Sequence, residues 1–362
     1  MVREFDRKIA LEDGCEYPGY SFGSRGERIT EIVFNTSMVG YQEILSDPSY
    51  TYQSVVMTYP VIGNYGINRD DMETYIPTLG GFIVRDYNNS PSNFRCQSTL
   101  SDVMKKYGVT GIYGVDTRAL TRKIRNQGTQ NVLITDISTP REAALEMLAA
   151  HKPLRDAVKS VSCLSQWKSA SSEAKYHIAA IDCGIKHNII RKLNEYGCDV
   201  TVVPYNSTAA DIKRLNPDGV FISNGPGDPQ DVHETIELVR SLRGKYPMFG
   251  ICLGHQIIAL AYGGSTYKLK FGHRGGNHPV KNLKSGKIEI TSQNHSYAVD
   301  EASLSGRGLD VTHVNLLDST VEGMENIKDR VFSVQYHPES APGPEDSAYL
   351  FGRFINMIKE NT

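Results

Sequence analysis

The chain has 362 residues, 40% hydrophobic and 22% charged, enough to bury a core and to form about two domains. Its 39 basic and 41 acidic residues leave a net charge of −2 with no long block of one sign, so capture of nucleic acid or of an anionic membrane is not expected, and a small molecule or another protein is. Nothing approaches the ~18 consecutive apolar residues of a membrane span, the N-terminal MVREFDRKIALEDG lacks the apolar stretch of a secretory signal, and the six cysteines are scattered without a C-x-x-C pair, so a cytoplasmic protein with reduced thiols is expected.

In chain order, residues 1–150 carry short β-rich runs (ITEIVFNTS, SVVMTYPVIG, GGFIVRDY) punctuated by Gly, Pro and Asn. One helix, REAALEMLAAH, closes the segment, with Ser138 or Thr139 as its cap before Pro140. This half reads as a mixed α/β domain whose topology the pattern does not determine. Residues 151–176 lose both periodicities, and SASSEAK reads as a flexible connector. From 177 to 362 strands and helices alternate. HIAAIDC is an apolar strand, Ile185, Ile189, Ile190 and Leu193 mark a helix face ending at Gly197, and DVTVVPY is the next strand. GVFISNG, VHETIELVRSLRG, PMFGI and HQIIALAYGG continue the alternation. The expected fold is α/β, a mostly parallel sheet flanked by helices, with ligands gathered at the carboxyl ends of its strands.

Two loops fall at such ends, SNGPGDP (223–229) and GICLGHQ (250–256). In the second, Cys252 stands between Gly250 and Gly254 where a buried strand turns into a helix, the cysteine counterpart of a nucleophile elbow. A sulfur at a helix N-terminus meets unpaired amides and the positive dipole end, the setting that makes thiols reactive. The alternative is a small hydrophobe packed under the sheet. A cysteine nucleophile needs a proton carrier and a group to orient it. VFSVQYHPES offers His337 and, two residues on and pointing the same way along an extended segment, Glu339. The amides of Gly225 or Gly227, together with that of Leu253, are candidate oxyanion donors. Gly286-Lys287 lacks the upstream glycine of a phosphate loop, and FGHRGGNHP (271–279) has a spacing that fits no metal site, so no metal is expected.

Together G-I-C-L-G-H-Q, S-N-G-P-G-D and H-P-E resemble the class I, triad-type glutamine amidotransferase domain. F-N-T-S-M-V-G-Y-Q-E-I-L-S-D-P-S-Y, T-Y-P-V-I-G-N-Y-G, G-V-D-T-R-A-L-T, K-F-G-H-R-G-G-N-H-P-V and Q-N-H-S-Y-A-V-D resemble the small subunit of the carbamoyl-phosphate synthase family over nearly the whole length. The resemblance implies that Cys252 attacks the side-chain amide of glutamine, His337 shuttles the proton and Glu339 orients His337. It assigns glutamine or oxyanion binding to Ser49, Gly225, Gly227, Leu253, Gln256, Asn294, Ser296 and Tyr297, although Ser296 stands where the family motif often has glycine. It further implies a large-subunit partner, at least as a heterodimer, that carries ATP and magnesium and makes carbamoyl phosphate for arginine and pyrimidine synthesis, with no cofactor on this chain. The segment 1–150 would then be the small-subunit domain and the docking surface for that partner. A free-standing γ-glutamyl hydrolase and a catalytically idle scaffold subunit are the competing readings.

Overall fold

A computed structural model describes residues 4–360, and the chain divides into two compact units after Leu154. In the first, seven strands close a barrel in the order Arg7–Leu11, Glu16–Gly23, Thr110–Tyr113, Gly81–Ile83, Gln53–Met57, Arg28–Asn35 and Gln130–Asp136. Closure pairs every edge, which is how strands this short become stable without a partner sheet. Val33, Val55, Phe82, Leu100 and Met104 pack together within this unit. Helix Arg141–Ala150 forms as expected but without a side-chain cap. The hydroxyl of Thr139 pairs instead with that of Thr135, at 2.7 Å, so neither proposed capping residue serves.

The second unit is built on a ten-stranded sheet in the order Trp167–Ser169, Cys198–Pro204, Tyr176–Asp182, Gly219–Ile222, Met248–Ile251, Val331–Val334, Val321–Asn326, Asp310–Asn315, Thr266–Asn282 and Ile288–Val299. The block from Cys198–Pro204 to Val331–Val334 is parallel, and everything beyond Val331–Val334 is antiparallel. Alternate residues of the parallel strands face opposite sides. Ala179, Ile181, Val220 and Ile222 meet Ile236, Val239, Ile257 and Ile258 on one face, and Ile178, Ala180, Phe221 and Phe249 meet Ile189, Leu193, Phe351 and Phe354 on the other. Phe249 stacks on Phe332 with centroids 4.3 Å apart and meets Phe221 edge-on at 5.3 Å. Each such ring removed from water contributes about 1.5–3 kcal/mol.

Residues expected to form the connector are partly ordered into this unit. Ala157–Val161 is a short helix, and Trp167–Ser169 pairs antiparallel with Val200–Val202 as an edge strand. No helix among the described residues is long and apolar enough to cross a membrane.

Candidate functional site

Strand Met248–Ile251 passes into helix Leu253–Ala261 through one residue, Cys252, at φ 54° and ψ −103°. A non-glycine residue in such a conformation costs of order 1–3 kcal/mol and persists only when its surroundings hold it there. Here the Cys252 amide donates to Val334 O at 2.9 Å, and its carbonyl accepts the Gln256 amide at 3.2 Å, the first bond of the helix. Gly254 permits the turn, because a Cβ there would run into the backbone carbonyl of Ile222 on the neighbouring strand. Cys252 is buried, and its Sγ lies 3.6 Å from Asn294 O.

His337 follows strand Val331–Val334 and is pinned by its amide, which donates to Ser292 O at 2.9 Å. Its Nδ1 lies 2.7 Å from Glu339 Oε1, as the two-residue spacing predicts, and both side chains are buried. Burial alone would push the imidazole down, but the Glu339 carboxylate and the Cys252 sulfur outweigh it and raise its pKa to about 10. Burial also opposes the Glu339 charge, yet Lys186 and His337 hold that carboxyl down at about 2. Nε2 of His337, the nitrogen turned away from Glu339, makes no hydrogen bond of good geometry. Catalytic hydrogen bonds are commonly loose before substrate arrives. An imidazolium oriented by a carboxylate beside a sulfur on a strained turn is equipped for nucleophilic attack on a carbonyl derivative.

The loop 223–229 lies beside the elbow. Ser223 Oγ accepts the Cys183 amide at 2.9 Å, and a Cβ on Gly225 would meet the carbonyl of Cys183 and, at 2.8 Å, Cδ2 of Leu253. Gly227 occupies φ 89°. The predicted donors Gly225 and Leu253 are therefore neighbours. Gln256 Nε2 donates to Tyr297 O at 2.8 Å and to Gln335 Oε1 at 2.9 Å, so its amide nitrogen braces the pocket strand. Ser296 Oγ accepts from the Arg274 guanidinium, and its backbone does not have positive φ, so serine fits without strain where the motif often carries glycine. Ser49 lies in the first unit, in the turn Pro48–Tyr50, where its amide donates to Asp47 Oδ1 at 2.9 Å.

Two residues escaped the sequence reading. Lys186, just before helix His187–Glu195, is buried, with Nζ 2.8 Å from Glu339 Oε1 and 3.0 Å from Ala341 O. Asn188 donates its side-chain amide to Glu339 O. A lysine at the carboxyl end of the strand Tyr176–Asp182, on the same edge of the sheet as both candidate loops, was the available signal. Among the other thiols, burial pushes half-buried Cys163 and buried Cys198 up to about 12 and buried Cys183 higher still, with the nearby carboxylates of Asp182, Asp199 and Asp218 adding to it.

Residues 179–357 match the model of glutamine amidotransferase class-I, and residues 9–134 match that of the carbamoyl-phosphate synthase small chain, CPSase domain. The carbamoyl phosphate synthase small chain of Staphylococcus haemolyticus is 53% identical over 98% of this chain and 96% of its own length. Those of Bacillus caldolyticus, at 53% over 98% of this chain and 97% of their own length, and of Fusobacterium nucleatum, at 49% over 99% of both, are similarly close. With both domains matched and relatives this alike along their full length, the chain belongs to the carbamoyl phosphate synthase small chain family, glutamine-hydrolysing subunits with a class-I amidotransferase domain.

Proposed function

We propose that Cys252 is the nucleophile of a glutaminase whose ammonia is used by a large subunit to make carbamoyl phosphate from bicarbonate and ATP. The observation that carries the reading is the 2.7 Å contact of His337 Nδ1 with Glu339 Oε1, on an imidazole whose pKa is raised by that carboxylate and by the Cys252 sulfur. The sulfur attacks the glutamine side-chain carbonyl, and amides at Leu253 and Gly225 or Gly227 receive the developing negative charge. His337 gives its proton to the departing ammonia, leaving a γ-glutamyl thioester. It then takes a proton from water, which breaks the carbon–sulfur bond and releases glutamate. Glutamine is held by Gln256, Asn294, Ser296 and Tyr297, and Ser49 belongs to the same proposed set. The chain itself needs no cofactor for this step; ATP and magnesium act on the large subunit, in a complex at least heterodimeric. The product serves arginine and pyrimidine synthesis in the cytoplasm.

The deciding experiment measures glutamate release by the purified chain with and without its large subunit, for the native protein and Cys252→Ser. Release that rises with the partner, ATP and bicarbonate and drops by at least 10³-fold in the variant is expected, given what removal of a nucleophile costs. Activity indifferent to the partner would identify a free-standing hydrolase, and activity indifferent to the substitution would remove Cys252 from the mechanism.

A further inference from the structure

Away from Cys252, the antiparallel extension of the second unit gathers a second set of chemistry-bearing side chains. His273 on strand Thr266–Asn282 and His295 on strand Ile288–Val299 are direct cross-strand partners, with ring centroids 4.9 Å apart and planes at 82°. Glu322, on strand Val321–Asn326, joins them, and one ligating atom from each of the three lies within 4.8 Å of the others. All three are more than nine-tenths buried.

The hydrogen bonds on the far side of each ring decide which nitrogen is free. His273 Nε2–H donates to Asp318 Oδ2 at 2.8 Å, leaving Nδ1 to face inward. That Nδ1 has no hydrogen-bond partner and sits 3.6 Å from Glu322 Oε1. His295 Nδ1–H donates to Tyr297 O at 2.7 Å, so its Nε2 presents a lone pair, and that lone pair faces Gln293 Oε1 at 3.1 Å. Two acceptors facing each other need a cation between them or a rotated amide. Rotating Gln293 would satisfy His295, but would leave Nδ1 of His273 and the buried, unpartnered Oε2 of Glu322 as they are. A divalent ion among the three side chains would give both inward imidazole nitrogens and the Glu322 carboxylate a partner of opposite charge.

We propose that His273, His295 and Glu322 form a buried site for a divalent transition metal of the zinc type, with Gln293 Oε1 as the fourth ligand. Two imidazoles and a carboxylate are a donor set zinc favours, and outer hydrogen bonds from each imidazole to a carboxylate or a backbone carbonyl are how proteins orient metal-binding histidines. Asp318 and Tyr297 O supply those outer bonds. Ligands on a tetrahedral zinc at ~2.0–2.1 Å lie about 3.3 Å apart, so the 3.6 Å pair is nearly placed, while the rest of the 4.8 Å cluster must close by up to about 1.5 Å. With four protein ligands the site is closed, hence structural, tying two strands of the hairpin to a third. It departs from the sequence-based expectation that this chain holds no metal. The competing arrangement puts a second proton on His273: burial opposes its charge, but Asp318 and Glu322 raise its pKa to about 9.

The full chain, stripped with chelator, is titrated with zinc and with cobalt(II). One equivalent bound, a cobalt spectrum of tetrahedral type, and X-ray absorption on the zinc form showing nitrogen and oxygen at ~2.0–2.1 Å with no sulfur are expected. Glu322→Gln should weaken binding at least a hundredfold, and Asp318→Asn, which leaves the ligands in place, by 10–100-fold. Sulfur in the first shell would assign the metal to cysteines and overturn the proposal. So would affinity unchanged in Glu322→Gln, or a stripped chain that takes up no metal while His273 titrates with two protons near neutral pH. The absorption measurement needs only the native chain, so a variant that fails to fold does not spare the proposal.

Discussion

The carboxylate of Glu339 is held from two sides, by His337 Nδ1 at 2.7 Å and by Lys186 Nζ at 2.8 Å, both on Oε1. Lys186 thus positions the orienting group and keeps it ionised. Replacing it with methionine leaves a buried charge without its main partner, which typically costs 3–5 kcal/mol of stability. The Glu339 carboxyl then rises from about 2 toward its ordinary range. The kcat of glutamine hydrolysis should fall at least tenfold in Lys186→Met with a smaller change in KM, and the acid limb of the kcat–pH profile should move to higher pH. An unmoved limb would mean that Lys186 only supports the fold. Cys252, His337 and Glu339 were legible in the sequence because each stands at or just beyond the end of an apolar strand. Lys186 was not, since its partner lies 153 positions away and only the sheet brings them together.

At the scale of elements, the elbow works because the helix approaches the sheet at Gly254. An added Cβ would collide with backbone atoms of Ile222, which cannot swing aside as a side chain can. Gly254→Ala should therefore destabilise the chain by about 1–3 kcal/mol, read from the midpoint of urea unfolding, and should impair glutamine hydrolysis by displacing Cys252. The parallel strands were readable because each is a continuous apolar run followed by a helix face such as Ile189, Ile190 and Leu193. The antiparallel extension was not. Its longest strand, Thr266–Asn282, breaks register between Lys268 and His273 and again between Gly275 and His278, so no steady alternation survives. In the barrel, Gly81–Ile83 pairs with Gln53–Met57 and Thr110–Tyr113, neighbours well separated along the chain, and a run of three residues gives no hint of either.

For the molecule as a whole, the place where the chain divides has a practical outcome. Trp167–Ser169 belongs to the large sheet, so a fragment of residues 155–362 should melt higher than one beginning at 177, which exposes the edge of Cys198–Pro204. Stability should also be bell-shaped in pH. Burial, reinforced at His255 by His313 and at His313 by Arg353, pushes the two imidazoles from 6.5 down to about 3 and about 4. Their contribution is complete above pH 6.5 and is lost as the pH falls toward those values, because the unfolded chain binds their protons first. His337, raised to about 10, contributes fully below 6.5 and loses that contribution as the pH climbs to 10. Melting temperature against pH should therefore peak near neutrality, and His255→Gln should flatten the acid limb alone. The protonation of the other thiols bears on covalent chemistry. With Cys163, Cys183 and Cys198 held protonated by burial, a glutamine-shaped alkylating probe at neutral pH meets few competitors inside the fold. Excess glutamine should protect Cys252 but not exposed Cys15 or half-buried Cys96, so a stoichiometric adduct that glutamine prevents becomes a direct count of competent active sites in any preparation.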